Sequence, residues 1–117
     1  MKSDVRAAVA AIALSHSTGR RVSAVYDYNE GSYVSIAASI NGKTVTGYDY
    51  ANSCHVSGTL PNLYHYGQSA HINFNEVGDG TYNGYDYGSS CHFNVQVRSG
   101  NVQIYDYGES GYFSYSG

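Results

Sequence analysis

Two stretches of the chain, TVTGYDYANSCHVSG at 44–58 and TYNGYDYGSSCHFNV at 81–95, are copies of one pattern. Both contain a Gly-Tyr-Asp-Tyr segment, two variable residues, then Ser-Cys-His and an apolar residue. Three looser copies bring the number of Tyr-X-Tyr triplets to five, at 26–28, 48–50, 64–66, 85–87 and 105–107. Self-similarity at intervals of 16 to 22 residues is the signature of a repeat architecture, so we expect five structural repeats of about 20 residues.

The residues between the repeats are typical of tight turns. Asn41-Gly42 is a strong two-residue hairpin signal because both residues tolerate a positive φ angle. Ser99-Gly100 is a weaker signal of the same kind, Gly78–Gly80 suits a three-residue loop, and Leu60-Pro61 lies at the remaining junction. These turns predict antiparallel hairpins between the repeats and argue against the parallel coils of a β-solenoid.

A hairpin centred on each turn predicts the same kind of cross-strand pair. The aromatic or histidine residue that follows one triplet lies opposite the last tyrosine of the next triplet. The predicted pairs are Tyr33–Tyr50, His55–Tyr66, His71–Tyr87 and His92–Tyr107. Pairing of the first strand with the last one would add Tyr28–Tyr112 as a fifth pair. Directly opposed residues share a face of the sheet, so these side chains are expected on one face.

The two faces of the predicted strands differ in chemistry. Apolar residues alternate onto one face and polar residues and tyrosines onto the other, as in an antiparallel sheet with one face on the core. The predicted core positions are Val34, Ile36, Ala38, Val45, Val56, Leu63, Ile72, Phe74, Phe93, Val95, Val97, Val102 and Ile104. We expect a mainly β fold, an antiparallel meander closed into a ten-stranded barrel without free edges. The alternative is an open or rolled sheet whose edges pair between chains.

The chain is expected to form a single domain over 1–117, with an N-terminal helix at 3–17 and the repeat region at 20–117. Ser3 is a candidate N-cap of the helix, and Gly19 is a candidate C-terminal stop. We expect the helix to plug or cover an opening of the barrel.

The apolar residues of the N-terminal segment follow helical spacing. Val5, Val9 and Ile12 form one stripe, which predicts an amphipathic helix. Asp4 and Arg6 interrupt the apolar stretch and make it a poor signal peptide. The sequence therefore favours a retained helix and a reducing, cytoplasmic location.

Charge and composition argue against several classes of function. The chain has 6 Lys and Arg and 9 Asp and Glu, and its longest basic run is Arg20-Arg21, so we expect no duplex nucleic-acid partner. No apolar run approaches the ~20 residues of a membrane span. A phosphate loop, an HExxH motif and a complete nucleophile elbow are all missing. We therefore predict a protein that is not an enzyme and needs no cofactor.

The aromatic residues of the repeats form the candidate ligand-binding surface, which we call the Tyr/His belt. It comprises Tyr28, Tyr33, Tyr48, Tyr50, His55, Tyr64, Tyr66, His71, Tyr85, Tyr87, His92, Tyr105, Tyr107 and Tyr112. Exposed tyrosine offers a flat apolar face with a polar tip, which suits sugar rings and protein interfaces. The predicted function is a small binding module for carbohydrate or a protein partner. A self-assembling structural protein, present as a homo-oligomer, is one alternative.

The middle residue of each triplet is polar yet falls on the apolar face of its strand. These residues are Asp27, Asp49, His65, Asp86 and Asp106. They are interpreted first as caps for the N–H groups of the following turn. The alternative is a polar ring at a barrel mouth that binds a metal ion or a polar ligand.

The cysteines each precede a histidine, in Cys54-His55 and Cys91-His92. Successive residues of a strand point to opposite faces, so these dipeptides predict no Cys-His metal site. The two cysteines are expected to be buried free thiols, with a disulfide only if the fold brings them together.

Overall fold

The computed structural model describes all residues from Met1 to Gly117 and contains one helix and eleven strands. The helix, α1, spans Ser3–Thr18. The strands are β1 (Val25–Asp27), β2 (Ser32–Val34), β3 (Ile36–Asn41), β4 (Thr44–Asp49), β5 (Cys54–Thr59), β6 (Asn62–His65), β7 (Ala70–Gly78), β8 (Thr81–Asp86), β9 (Cys91–Arg98), β10 (Asn101–Asp106) and β11 (Gly111–Ser116).

The strands form one antiparallel meander that is nearly closed into a barrel, in the order β2-β1-β11-β10-β9-β8-β7-β6-β5-β4-β3. The mainly β, hairpin-built fold is therefore confirmed, and β1 pairs with β11 as expected. The sheet has eleven strands where about ten were expected, because one predicted strand is broken at Ser35. Its two halves, β2 and β3, pair with different neighbours and form the two ends of the sheet.

Three of the predicted registers between repeats are confirmed. The N–H groups of Tyr66, Tyr87 and Tyr107 donate to the carbonyls of His55, His71 and His92, with N···O distances of 3.0, 3.0 and 3.1 Å. The β7–β8 hairpin keeps its predicted register although it contains a β-bulge between Glu76 and Gly78. The bulge takes up the extra residue that the sequence assigned to a three-residue loop.

The register across the β3–β4 turn is shifted by two residues from the prediction. Asn41 pairs with Thr44, so the loop is Gly42-Lys43 and not Asn41-Gly42. Gly42 has a φ angle of 63°, while Lys43 is not among the residues with positive φ. Such a turn places glycine at its first central position, where no side chain opposes the positive φ.

Two predicted aromatic pairs are wrong, Tyr33–Tyr50 and Tyr28–Tyr112. The break at Ser35 leaves Tyr33 in the β1–β2 hairpin, where it lies opposite Tyr26. The β1–β11 register differs by two residues from the expected one, and the N–H of Tyr28 donates to the carbonyl of Ser114 at 3.1 Å.

The helix α1 lies inside the barrel, and every residue from Val5 to Ser15 is buried. This agrees with the expectation that the helix plugs the barrel. The prediction of an amphipathic helix, with only one face buried, is wrong because strands surround the helix. Outside the stripe of Val5, Val9 and Ile12, most buried residues of the helix are alanines. Their small side chains let the helix approach the strands on all sides. Gly19 ends the helix with a φ angle of 71°, as expected, whereas the N-cap is Lys2 and not Ser3. This 16-residue helix does not have the length and hydropathy needed to cross a membrane.

The predicted core positions face the helix, although Val34 and Val97 are only partly buried. The core also contains two tyrosines that the sequence pattern did not assign to it, Tyr82 and Tyr115, each 1% exposed. The ring of Tyr82 stacks on Phe74 with a centroid separation of 4.8 Å, and its hydroxyl lies 2.8 Å from Nδ1 of His16 on the helix. Burial raises the pKa of both tyrosines to about 12.

Two glycines that precede a triplet are required by close packing between strands. A Cβ atom on Gly84 would lie 2.0 Å from the carbonyl oxygen of Asn73 and 2.5 Å from the ring of Phe93. A Cβ atom on Gly47 would lie 2.6 Å from the carbonyl oxygen of Val56. This is why the two strict copies of the repeat begin with glycine.

Replacing Gly84 by alanine is expected to lower the free energy of unfolding by about 1–3 kcal/mol, because backbone and ring must move apart. Gly78→Ala is the control, since its Cβ would meet only Thr81 at an ordinary 3.7 Å. That change should stay within about 0.5 kcal/mol of wild type. Urea unfolding of the three proteins makes the comparison, and equal stabilities for the two variants would contradict the packing described.

Candidate functional site

The aromatic residues of the repeats form five clusters of three rings on the outer face of the barrel. In each, the first tyrosine of a triplet lies directly opposite the tyrosine or histidine that follows the turn. The second tyrosine of the triplet packs edge-on against the first. The clusters are Tyr26/Tyr28/Tyr33, Tyr48/Tyr50/His55, Tyr64/Tyr66/His71, Tyr85/Tyr87/His92 and Tyr105/Tyr107/Tyr112, with centroid separations of 4.7 to 4.9 Å to the central ring.

The outer rings of each cluster are open to solvent. The seven exposed tyrosines are between 51% and 76% accessible, and the three belt histidines are exposed as well. The first tyrosine of each triplet is half-buried beneath its two neighbours. All fourteen predicted belt residues therefore lie on one surface, and the structure adds Tyr26 to them. Its place as the first residue of the first triplet, equivalent to Tyr48, is the signal that could have identified it.

The middle residue of each triplet is buried and caps the turn that follows, so that interpretation is confirmed. Oδ1 of Asp27 accepts the N–H groups of Asn29 and Glu30 at 2.8 and 3.2 Å. The Nδ1 atom of His65 accepts the N–H of Gln68 at 3.1 Å, so histidine replaces aspartate in the same role. Asp49, Asp86 and Asp106 accept turn N–H groups in the same way.

Each of these turns also contains one residue with a positive φ angle just before the next strand. Four of the five are serines, Ser53, Ser69, Ser90 and Ser110, with φ angles of 51° to 54°, and the fifth is Gly31. A residue with a side chain is strained at a positive φ angle, and the cap hydrogen bonds hold the turn in this conformation. The five caps lie together at the end of the barrel that also contains the start of the helix.

The carboxylate of Asp106 is paired with two cations, the guanidinium of Arg6 on the helix and the amino group of Met1 just before it. Arg6 Nη1 and the amino group of Met1 lie 3.0 and 2.9 Å from its Oδ2 atom. Burial alone would raise the pKa of Asp106, but the hydrogen bonds from Met1 and Arg6 outweigh it and lower the pKa below its ordinary value. The thiol of Cys91 lies 3.7 Å from Oδ1 of the same carboxylate, and burial raises its pKa.

A shallow groove of about 700 Å³ crosses strands β8, β9 and β10 beside the Tyr105/Tyr107/Tyr112 cluster. A second hollow of about 380 Å³ adjoins it and shares Asn83, Asn94 and Tyr107. Amide side chains face each other across the strands, with Asn83 opposite Asn94 and Gln96 opposite Gln103. The amide of Asn94 donates to the hydroxyl of Tyr107 at 2.9 Å. The groove thus combines aromatic rings with a row of amides.

The two cysteines are free and buried, as expected. The belt histidines His55, His71 and His92 each pack edge-on against a tyrosine. The chain has one group of at least three metal-ligating side chains, Asp49, Cys54 and His65, whose ligand atoms lie within 4.8 Å of one another. The sequence analysis considers Cys54 only together with its chain neighbour His55, so it does not predict that Cys54 lies close to His65 of the next repeat.

Replacing Asp106 by asparagine is expected to destabilise the fold by about 3 kcal/mol near neutral pH, because the buried Arg6 loses its counter-charge. The folded pKa of Asp106 is lowered, so its contribution is present above the unfolded pKa of ~3.9 and is lost as pH falls through the folded value. The stability gap between wild type and variant should therefore narrow in acid.

Urea unfolding at neutral and acidic pH measures this gap. Glu109→Gln removes an exposed carboxylate from the same turn and should change the free energy of unfolding by less than about 0.5 kcal/mol. A gap between wild type and Asp106→Asn that stays constant across the pH range would be inconsistent with the ion pairs described.

Comparisons of the chain with protein-family models, with curated proteins and with solved structures found no match. Its function is therefore inferred from the chemistry of the barrel surface.

Proposed function

We propose that this protein is a non-catalytic binding module for neutral carbohydrate, with its site in the groove beside Tyr105, Tyr107 and Tyr112. The observation that supports this most directly is the meeting of exposed tyrosine rings with a row of amide side chains in one groove. Tyrosine faces provide flat apolar contact for the C–H face of a sugar ring. Asparagine and glutamine each offer donors and an acceptor, which match the paired donor and acceptor character of sugar hydroxyls.

The charge of the groove supports a neutral ligand. None of the residues lining the two hollows is Asp, Glu, Lys or Arg. Single-stranded nucleic acid also stacks on aromatic rings, but its binding sites carry basic residues that follow the phosphates. A neutral oligosaccharide fits both the aromatic and the uncharged character of this surface.

The position of the carboxylates supports binding without hydrolysis. Glycoside hydrolases place two carboxyl groups on either side of the scissile bond. The four triplet aspartates are buried as turn caps, and the groove is lined by no carboxylate. Bound sugar would therefore meet no acid and base at reacting distance.

Self-assembly is a second candidate, favoured by a different observation. The outer edge of β2 pairs with no other strand, and its central residue, Tyr33, is 76% exposed. A free edge with an exposed aromatic residue can add a strand from another chain. Light scattering across a range of concentrations distinguishes a monomer from such an assembly.

Replacing Tyr107 by alanine is expected to raise the Kd for the preferred oligosaccharide about tenfold, which corresponds to the loss of ~1.4 kcal/mol of contact. The measurement is a titration of the labelled protein with neutral oligosaccharides of glucose, xylose, mannose and N-acetylglucosamine, followed by the tyrosine-ring NMR signals. Shifts should be confined to Tyr105, Tyr107 and Tyr112 and their neighbours.

Tyr66→Ala is the matched control, because Tyr66 holds the same place in its triplet and is similarly exposed but lies outside both hollows. It should bind like wild type. The proposed site would be overturned if no oligosaccharide of the panel shifted the tyrosine signals, or if the two variants lost the same affinity.

A further inference from the structure

A group of three different metal-ligating side chains lies inside one end of the barrel. Asp49 ends β4 and lies directly opposite Cys54 at the start of β5, and His65 ends the next strand, β6. A carboxylate oxygen, the sulfur and a ring nitrogen lie within 4.8 Å of one another, and all three residues are buried. Thiolate sulfur, imidazole nitrogen and carboxylate oxygen are the three kinds of side-chain ligand that Zn²⁺ accepts in proteins.

One atom of the group has no hydrogen-bond partner. Nε2 of His65 belongs to a side chain that is 0% exposed, and it makes no hydrogen bond. The nearest acidic oxygen, Oδ2 of Asp4 on the helix, lies 3.9 Å away, too far for a hydrogen bond. Two other buried side-chain atoms also lack a partner, Nε of Arg6 and Oδ2 of Asp86, but only Nε2 of His65 belongs to the group of metal-ligating side chains. A buried polar atom without a partner calls for an explanation, and a bound ion is one.

The equivalent position two repeats further along the chain shows how the barrel balances charge there. Asp86 lies opposite Cys91 as Asp49 lies opposite Cys54, and Asp106 takes the place of His65. At that position the helix supplies a cation, because Arg6 pairs with Asp106 at 3.0 Å. At the Cys54 position the helix supplies the carboxylate of Asp4 instead.

We infer that Asp49, Cys54 and His65 form a binding site for a zinc-type divalent cation, with Asp4 or a water molecule as the fourth ligand. The cation takes the compensating role that Arg6 fills at the equivalent position. A cavity of about 760 Å³ at this end of the barrel is lined by Asp4, Asn52 and Gln68, which adjoin the three proposed ligands.

The surrounding hydrogen bonds orient the proposed ligands as the outer shell of a metal site does. Asn52 Nδ2 donates to Oδ2 of Asp49 at 2.8 Å, and Gln68 Nε2 donates to Oδ2 of Asp4 at 2.7 Å. Glycine at position 67 leaves room for the thiol of Cys54, since a Cβ atom there would lie 2.7 Å from Sγ of Cys54.

The protons can be accounted for in the binding step. The Gln68 N–H donates to Nδ1 of His65, which leaves the proton of the neutral ring on Nε2. Coordination through Nε2 moves that proton to Nδ1 and breaks the one hydrogen bond to Gln68. Cys54 binds as the thiolate, so its proton is released to solvent. Three bonds to the metal are gained for one turn hydrogen bond.

The test uses the full chain, prepared without a histidine tag, stripped with a chelator and kept reduced. Titration with Co²⁺ is expected to give a sulfur-to-cobalt charge-transfer band that saturates at one equivalent and that Zn²⁺ removes. This band requires a thiolate ligand, so adventitious binding to the exposed belt histidines does not produce it.

Cys54→Ser should abolish the band and weaken Zn²⁺ binding at least about tenfold, as measured by competition with a chromophoric chelator. Cys91→Ser is the matched control and should retain both, because Cys91 occupies the position that Arg6 neutralises. Asp49→Asn, which keeps an oxygen for the turn, should keep the band and weaken binding, and circular dichroism verifies that each variant is folded.

Absence of the band in the wild-type protein overturns the inference whatever the variants do. The same conclusion follows if folded Cys54→Ser keeps the band or if Cys91→Ser loses it. Sugar binding at the groove is measured in a separate experiment. A negative result for the metal site therefore does not affect the proposal for the groove, and the reverse also holds.

Discussion

The rest of the structure depends on one local interaction, the hydrogen bonds between a buried polar side chain at the end of a strand and the N–H groups of the turn that follows. It occurs five times, with Asp27, Asp49, Asp86 and Asp106 as acceptors in four copies and His65 as the acceptor in the third copy along the chain. Each cap fixes the length of its turn, and the length of a turn fixes the register of its hairpin.

The register in turn decides what each face of the barrel presents. With the first tyrosine of a triplet opposite the residue after the turn, the aromatic rings meet on the outside. The middle residue and the one that opens the next strand, Cys54 or Cys91 in two repeats, then point inward. The same repeated hairpin therefore produces an aromatic outer surface and a polar cluster at one end of the core.

The helix converts that polar cluster into positions with different chemistry. A buried carboxylate needs hydrogen bonds or a cation once it leaves water, and of the four buried triplet aspartates only Asp106 is paired with cations. Arg6 neutralises Asp106, and histidine replaces aspartate at position 65, close to Asp4. Substitution within the repeats and the asymmetry of a single helix thus make one end of a near-regular barrel into distinct sites.

Much of this architecture could be predicted from the sequence because tyrosine triplets and turn residues recur at a nearly constant spacing. The three confirmed registers lie between repeats where the turn and the alternation of faces agree.

The prediction failed at Ser35, where a local break changes the neighbours of Tyr33. This is a tertiary effect that periodicity does not contain. It also failed for Tyr82 and Tyr115, because tyrosine is used both for the belt and for the core. The cluster of Asp49, Cys54 and His65 joins two repeats and depends on their packing, so spacing along one strand could not reveal it.

The central claim is that five capped turns set one common register and so build the outer aromatic surface. The most direct test is an aromatic-resolved NOESY spectrum of the labelled protein in solution. The account predicts contacts between the rings of Tyr48 and His55, of Tyr64 and His71, and of Tyr26 and Tyr33. Contacts between Tyr33 and Tyr50, or rings that show no cross-strand partner, would contradict it.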